Sequence, residues 1–280
     1  MGAWDPGQYE KFKDERAQPF RDLRSLVAPR PGMRVADLGC GTGAMTLELH
    51  QGLGALQTVG IDLSAEMLAK APSAPGLSFV RGDIAEFGLH GRAASEGPAL
   101  AASGYDLIFS NAALHWVPDH RAVLRRLAGA LAPGGQLAIQ MPANDGHASH
   151  QAAFELARSA EFRGLLAGFE RRPELLLPEQ YASVLYELGF ARRLVRLQVY
   201  EHLLPSADGV IEWVRGALLT DYQQRLSPAD YERFLQRYRE LLLPRLGPAE
   251  PFLYTYPRLF LWAQKAAGAD EGARQSSPTF

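Results

Sequence analysis

The stretch Val35-Ala36-Asp37-Leu38-Gly39-Cys40-Gly41-Thr42-Gly43 decides the fold. A short apolar run ends in alternating glycines, and Ala44 to Gln51 follows with helical spacing. Such a run reads as a strand buried in a parallel sheet. Glycines at its end let the backbone approach a ligand closely, and the free N–H groups that open the helix suit an anionic group. The same unit repeats outward from there, as strand Thr58 to Asp62, helix Ala65 to Lys70 and strand Leu77 to Asp83. Strand Tyr105 to Ser110, helix His120 to Leu131, the turn Pro133-Gly134-Gly135 and strand Gly135 to Met141 come next. This alternation predicts a doubly wound, Rossmann-like α/β sheet with helices on both faces.

The flanks read differently. Residues before Pro31 form a helical arm or lid, residues 1–30. Gly88 to Gly104 is rich in Ala, Gly and Ser without a period, and reads as a surface excursion. After Met141 the chain is mostly helical, with later strands at Leu194 to Tyr200 and Leu259 to Gln264. Between them, Ala207 to Leu219 and Ser227 to Leu243 have helical patterns. That is too much chain for a loop. It predicts a helical cap, about residues 205–247, laid over the sheet's carboxyl edge inside a main domain of residues 31–265. Residues 266–280 are small and polar, and read as a disordered tail.

Hydrophobic residues make up 47% of the 280, enough for a sizeable core. A net charge of −2 gives no electrostatic reason to expect nucleic acid. No stretch is long and apolar enough for a membrane span, and the polar, acid-bearing start is no signal peptide. One cysteine, Cys40, cannot form an internal disulfide, which predicts a cytoplasmic location. The sequence says nothing of oligomeric state.

Three acids follow the glycine loop's logic. Asp37 lies inside the motif, Asp62 ends the second strand and Asp83 the third. Gly39, Gly41 and Ala44 loosely satisfy the dinucleotide fingerprint, and Asp62 would suit a ribose. A nicotinamide enzyme leaves Asp37 and Asp83 unexplained. S-adenosylmethionine explains all three, because its ammonium, ribose and adenine amino group each want an acceptor. The plainer alternative is that these acids cap helices and turns. Cys40 has no base near it in sequence and reads as a small buried loop residue. Asp145, His147 and His150 read as a polar turn capping a helix, not as a metal set, so no metal is expected.

Asp37-Leu38-Gly39-Cys40-Gly41-Thr42-Gly43, Gly60-Ile61-Asp62 and Gly82-Asp83-Ile84 together resemble a class I methyltransferase. Further motifs narrow this: Trp4-Asp5-Pro6, Tyr9, Phe12, Glu15-Arg16, Ser110-Asn111 through Trp116-Val117-Pro118-Asp119-His120, Gln140-Met141-Pro142, Glu212-Trp213-Val214 and Pro257-Arg258-Leu259-Phe260. They resemble the trans-aconitate 2-methyltransferase family from Trp4 to about Lys265. The resemblance implies a seven-stranded sheet whose last strand is antiparallel. It implies that Asp37, Gly39 and Gly41 hold the methionine end of S-adenosylmethionine, and that Asp62 holds the ribose with Leu63 against the adenine. Asp83 and Ile84 would read the adenine edge, and Asn111 would face the sulfonium. Trp116 would lie between cofactor and substrate, and an arm with Trp4, Tyr9 and Phe12 would close over the site. Arg16 and Arg258 would meet the substrate's carboxylates.

Two departures bear on the acceptor. Where the family often has Gly-Thr-Gly-Leu-Arg-Pro, this chain has Gly216-Ala217-Leu218-Leu219-Thr220-Asp221, so an arginine is absent and an acid present. The family's Asp between Met-Pro and Asn is Ala143. An unpaired buried carboxylate is costly, so the first change, which falls in the cap, predicts an acid with fewer carboxylates than trans-aconitate. Methylation of a carboxylate needs alignment more than acid–base chemistry. A hydroxyl or amine acceptor would want a base, for which His115 is placed, with Trp116 positioning. The expected function is S-adenosylmethionine-dependent O-methylation of a small-molecule acid. Other readings are another metabolite, a carboxyl on an acyl carrier, or a cofactor-binding regulatory module without turnover.

Overall fold

The computed structural model describes residues 13–88, 104–171 and 175–268, with side chains from Ala17 onward. Helix α1 (Lys13–Ser25) leads into β1 (Arg34–Leu38), α2 (Ala44–Leu53), β2 (Gln57–Asp62), α3 (Ala65–Leu68), β3 (Leu77–Arg81) and β4 (Tyr105–Asn111). Then come α4 (His120–Ala130), β5 (Leu131–Pro142), α5 (Ala148–Arg158), α6 (Pro178–Glu187), β6 (Arg192–Leu204), α7 (Asp208–Arg215), α8 (Thr220–Gln223), α9 (Pro228–Leu246) and β7 (Phe252–Gln264).

The strands order as β3-β2-β1-β4-β5-β7-β6. β1 is paired in parallel with β2 and β4, β2 with β3, and β4 with β5. β7 runs against them: Gly134 and Lys265 donate to Ala266 and Gly135, while Ala143 donates to Pro257, so residue numbers rise on β5 as they fall on β7. Ala191 likewise meets Gln264, which makes β7 antiparallel to β6 too. This is the seven-stranded, doubly wound arrangement with an antiparallel last strand that the motifs imply. Central strands are apolar because both faces are covered, as Val35, Ala36, Leu107, Ile108 and Leu137 are.

Several boundaries differ from those read in sequence. β3 stops at Arg81, and Asp83 instead starts a 3-10 turn (Ile84–Glu86). The pattern Ala207 to Leu219 is helical only as far as Arg215, with Gly216 capping α7, and α8 starts beyond the pattern at Thr220, since glycine is a poor helix former and a common terminator. β6 and β7 are longer than expected, and pairing continues through Ala266, where the tail had been expected to begin. Residues 89–103 of the predicted excursion and 269–280 of the predicted tail lie outside the described residues. No described helix is long and apolar enough to cross a membrane.

The chain divides into two compact units. One comprises Phe20–Met141, Leu176–Arg196 and Leu259–Phe280, and holds β1 to β4. In it Phe20 meets Phe109 edge-on at 5.6 Å, which seats the end of α1 on β4. The other comprises Met1–Pro19, Pro142–Leu175 and Leu197–Arg258. Its core gathers Phe162, Trp213, Tyr222, Phe234 and Tyr238 between α5, α7 and α9. The predicted cap is part of this unit, which also takes in α5.

Gln136 joins separate elements of the sheet unit. Fully buried on β5, it accepts from the Ala28 N–H (2.9 Å) and the Trp262 indole (3.1 Å), and donates to the Ala28 carbonyl (2.7 Å). Gln136→Leu keeps the volume but leaves buried groups unpaired, at about 1–3 kcal/mol each. Urea unfolding should show a loss of at least about 2 kcal/mol; a loss within about 0.5 kcal/mol, typical of a surface change, would remove this role.

Candidate functional site

The end of β2 holds the glycine loop. Gly39 and Cys40 both donate to the Ile61 carbonyl, at 2.7 and 3.1 Å, and Gly41 donates to Asp62 Oδ2 at 2.8 Å. Asp62 Oδ1 accepts from the Ser64 N–H at 2.9 Å. A carboxylate has about four acceptor positions, so each Asp62 oxygen keeps one for another donor. The loop needs glycine for two different reasons. Gly39, at φ 78°, has no room: a methyl there would overlap that of Ala113 and lie 3.4 Å from Ile84 Cδ1. Gly41, at φ 57°, has a left-handed backbone but nothing within 4 Å of where its Cβ would be, so it borders open space.

The other strand ends come to the same loop. Ser110 on β4 donates to the Leu38 carbonyl at 2.9 Å. Asn111, which ends β4, points its amide nitrogen at Met45 Sδ (3.8 Å). Its Oδ1 is buried with no hydrogen-bond partner among the described residues, so an acceptor stands open. Asp83 Oδ1 accepts from the Ala85 N–H at 2.8 Å, capping the turn that carries Ile84 to Gly39. The Leu63 carbonyl accepts from Arg81 Nε at 3.1 Å. Past β4, a 3-10 turn (Leu114–Trp116) presents His115 and Trp116 with ring centroids 4.7 Å apart and Trp116 about half exposed, at 47%.

The site's potential is negative. Asp37 is buried in β1 and accepts from the Thr46 hydroxyl at 2.6 Å. Burial pushes its carboxyl up to about 6; the Thr46 hydrogen bond opposes this and the charge of Asp62 adds to it. Burial, with the charges of Asp37 and Asp62, also drives the Cys40 thiol well above its ordinary range. Cys40 therefore stays a thiol, which fits a small loop residue and not a nucleophile.

The sheet unit thus brings together Asp37, Gly39, Gly41, Asp62, Leu63, Asp83, Ile84 and Asn111, with His115 and Trp116 on the loop after β4. Trp4, Tyr9 and Phe12 lie outside the described residues, as does the side chain of Arg16. Arg258 belongs to the other unit, where it is buried with its guanidinium 4.9 Å over the Tyr256 ring. In that unit His147 caps α5, accepting from the Ser149 N–H, and burial holds His150 down to about 3, hence neutral. Asp221 is not the lone acid that the sequence suggested. Arg171 meets it at 2.8 Å and Arg225 at 3.8 Å, whereas Arg215 is occupied by Glu212. Sequence reasoning missed Thr46 and Arg171, whose roles depend on contacts that no local motif marks, and gave Ser110 no role of its own.

The chain matches a methyltransferase-domain family over residues 9–191. It is 41% identical to a trans-aconitate 2-methyltransferase of Deinococcus radiodurans, covering 94% of this chain and 98% of the relative. A protein of the same name from Streptomyces avermitilis is 38% identical, covering 95% and 98%. Among solved structures, the YcgJ protein of Bacillus subtilis superposes with a TM-score of 0.58 at 16% identity, over 90% of this chain and 100% of that one, a likeness of fold.

A raised Asp37 pKa has a definite sign. The folded state binds the proton more tightly than the unfolded state, so stability from this group is greatest below about 4 and is lost as pH rises through about 6. Asp37→Asn carries no charge and escapes that loss. Its stability relative to wild type should rise by about 3 kcal/mol between about pH 4 and pH 6.5 and then level. Chemical denaturation across that range checks it; a difference that stays flat would show that the ionised carboxylate is well compensated.

Proposed function

The chain belongs to the trans-aconitate 2-methyltransferase family, and on that premise we propose that it methylates a carboxylate oxygen of a small organic acid, with trans-aconitate the first acceptor to test. The observation that carries the cofactor reading is the pair of carboxylates at the loop, Asp37 buried in β1 and Asp62 at the end of β2. A pyrophosphate would be repelled there, and a cation favoured. The open Asn111 Oδ1, the unused acceptor positions of Asp62 and the space beside Gly41 fit S-adenosylmethionine.

In this reading Asp37 faces the ammonium group, and the first turn of α2, which begins at Gly43 without a side-chain cap, faces the carboxylate. Asp62 accepts from the ribose hydroxyls, and Leu63, Asp83 and Ile84 border the adenine. Asn111 Oδ1 stands toward the positive sulfur. When bound, S-adenosylmethionine supplies a methyl group on a positive sulfur, open to in-line attack. Trp116 bounds the acceptor and excludes water. An organic acid is already ionised at neutral pH, so His115 acts in positioning and not as a base. Alignment of this kind accounts for roughly 7–11 kcal/mol of barrier in favourable cases. The single cysteine supports a cytoplasmic location.

Pairing of Asp221 with Arg171 and Arg225 weakens the case against a tricarboxylate, since that stretch then carries no excess negative charge. Comparison of kcat/KM across acids should put trans-aconitate ahead of monocarboxylates with apolar tails by more than about tenfold, or about 1.4 kcal/mol in the transition state. The opposite ranking would mean that the missing cap arginine, and not the Asp221 pairing, governs acceptor choice.

A further inference from the structure

The loop between β4 and α4 is held in a conformation that its own residues do not favour. Ala112 (φ 54°) opens it and Asp119 (φ 52°) closes it, both non-glycine residues in the left-handed region. Such residues persist only where their surroundings over-determine them. Between them lie His115 and Trp116, flanked by the buried Leu114 and Val117. The restraint comes from outside the loop. The Ala112 N–H donates to the Gln140 carbonyl at 2.9 Å, which fixes the entry. At the exit stands His120, the first residue of α4, buried at 2% exposure.

The hydrogen bonds of His120 define its proton. Nε2 lies 3.1 Å from the Leu114 carbonyl, which can only accept, so Nε2 carries the hydrogen. In the neutral ring Nδ1 is then an acceptor, and its partner is the Tyr181 hydroxyl of α6. The Tyr181 oxygen in turn accepts from the Leu176 N–H at 3.4 Å. The Leu114 carbonyl also accepts from the Val117 N–H at 2.9 Å, the bond that closes the turn carrying His115 and Trp116. His120 therefore grips one of the two carbonyls on which that turn is built, the other being that of Ala113, which accepts from the Trp116 N–H at 3.1 Å.

We infer that His120 is a positioning residue for methyl transfer, clamping the Leu114–Trp116 turn through its Nε2–H, and that Tyr181 fixes the tautomer that makes the clamp. The inference rests on the reading that Trp116 bounds the acceptor. His120 touches neither cofactor nor acceptor in that reading; it sets the geometry of residues that do. A small displacement of such a group can cost about 100-fold in rate, and the effect belongs in kcat more than in cofactor affinity.

Tyr181→Phe keeps the ring and removes the hydroxyl that selects the tautomer. In His120→Gln the side-chain amide can still donate to the Leu114 carbonyl, whereas His120→Ala cannot. In the full-length protein, Tyr181→Phe should lower kcat for trans-aconitate by about tenfold or more, with affinity for S-adenosylhomocysteine held within about twofold. His120→Gln should retain more kcat than His120→Ala at equal KM. A second readout does not depend on turnover. Trp213 and Trp262 are buried, so with Trp4→Phe as background, iodide quenching reports on Trp116. Quenching should rise in Tyr181→Phe and His120→Ala. The inference is overturned if Tyr181→Phe leaves both kcat and quenching at the wild-type level, or if kcat falls only in step with cofactor affinity and Tm. Should the wild type methylate no acid, the acceptor reading fails; raised quenching would still support the clamp, and unchanged quenching would reject it.

Discussion

Everything at this site depends on two acceptors at the end of β2. The Ile61 carbonyl and the Asp62 carboxylate together take three successive N–H groups, those of Gly39, Cys40 and Gly41. Buried backbone donors must be paired, and here the pairing folds the loop across the end of β2. That fold leaves no room for a side chain at Gly39, where Ala113 and Ile84 close in, and leaves space beside Gly41. The ends of β1, β2 and β4 and the turn after β3 are brought together by the same contacts. Asp62 keeps acceptor capacity beyond its structural bonds, because two backbone donors use only part of it.

The electrostatics follow from the same packing. Burying Asp37 beside Asp62 works against the folded state at neutral pH, since an ionised carboxylate loses its water there. The arrangement makes sense for a positive ligand, which lowers that penalty when it binds. Asn111 contributes a buried oxygen with no donor among the described residues, an unusual state for a buried acceptor and one that a positive sulfur would relieve.

Much of this was legible in sequence because the central strands are short apolar runs bounded by glycine or acid. Val35 to Leu38 and Tyr105 to Ser110 could be placed within a residue or so. Asp83 was misread as a strand end, since a capping acid just past a strand looks the same in one dimension; its carboxylate caps a turn instead. β6 was read short because it opens with Arg192 and Arg193. Their guanidinium groups lie over the Trp262 and Tyr186 rings, a packing that no local pattern displays. β7 was read short because Thr255, Pro257 and Arg258 interrupt the apolar run. Arg171 neutralises an acid far along the chain, and His120 gains its role only when Tyr181 of α6 meets it. Contacts of this kind join residues far apart in the chain, and no local pattern displays them.

The central claim is that a loop clamped by Asp62 binds the adenosine part of a positively charged cofactor. The most direct measurement is calorimetric titration of wild type and Asp62→Ala with S-adenosylhomocysteine, S-adenosylmethionine and NAD. The account predicts that wild type binds both sulfur ligands and not NAD, and that Asp62→Ala weakens both by about 2–4 kcal/mol, or roughly 30- to 1000-fold. Unchanged binding in Asp62→Ala, or NAD binding in wild type comparable to that of S-adenosylhomocysteine, would contradict it.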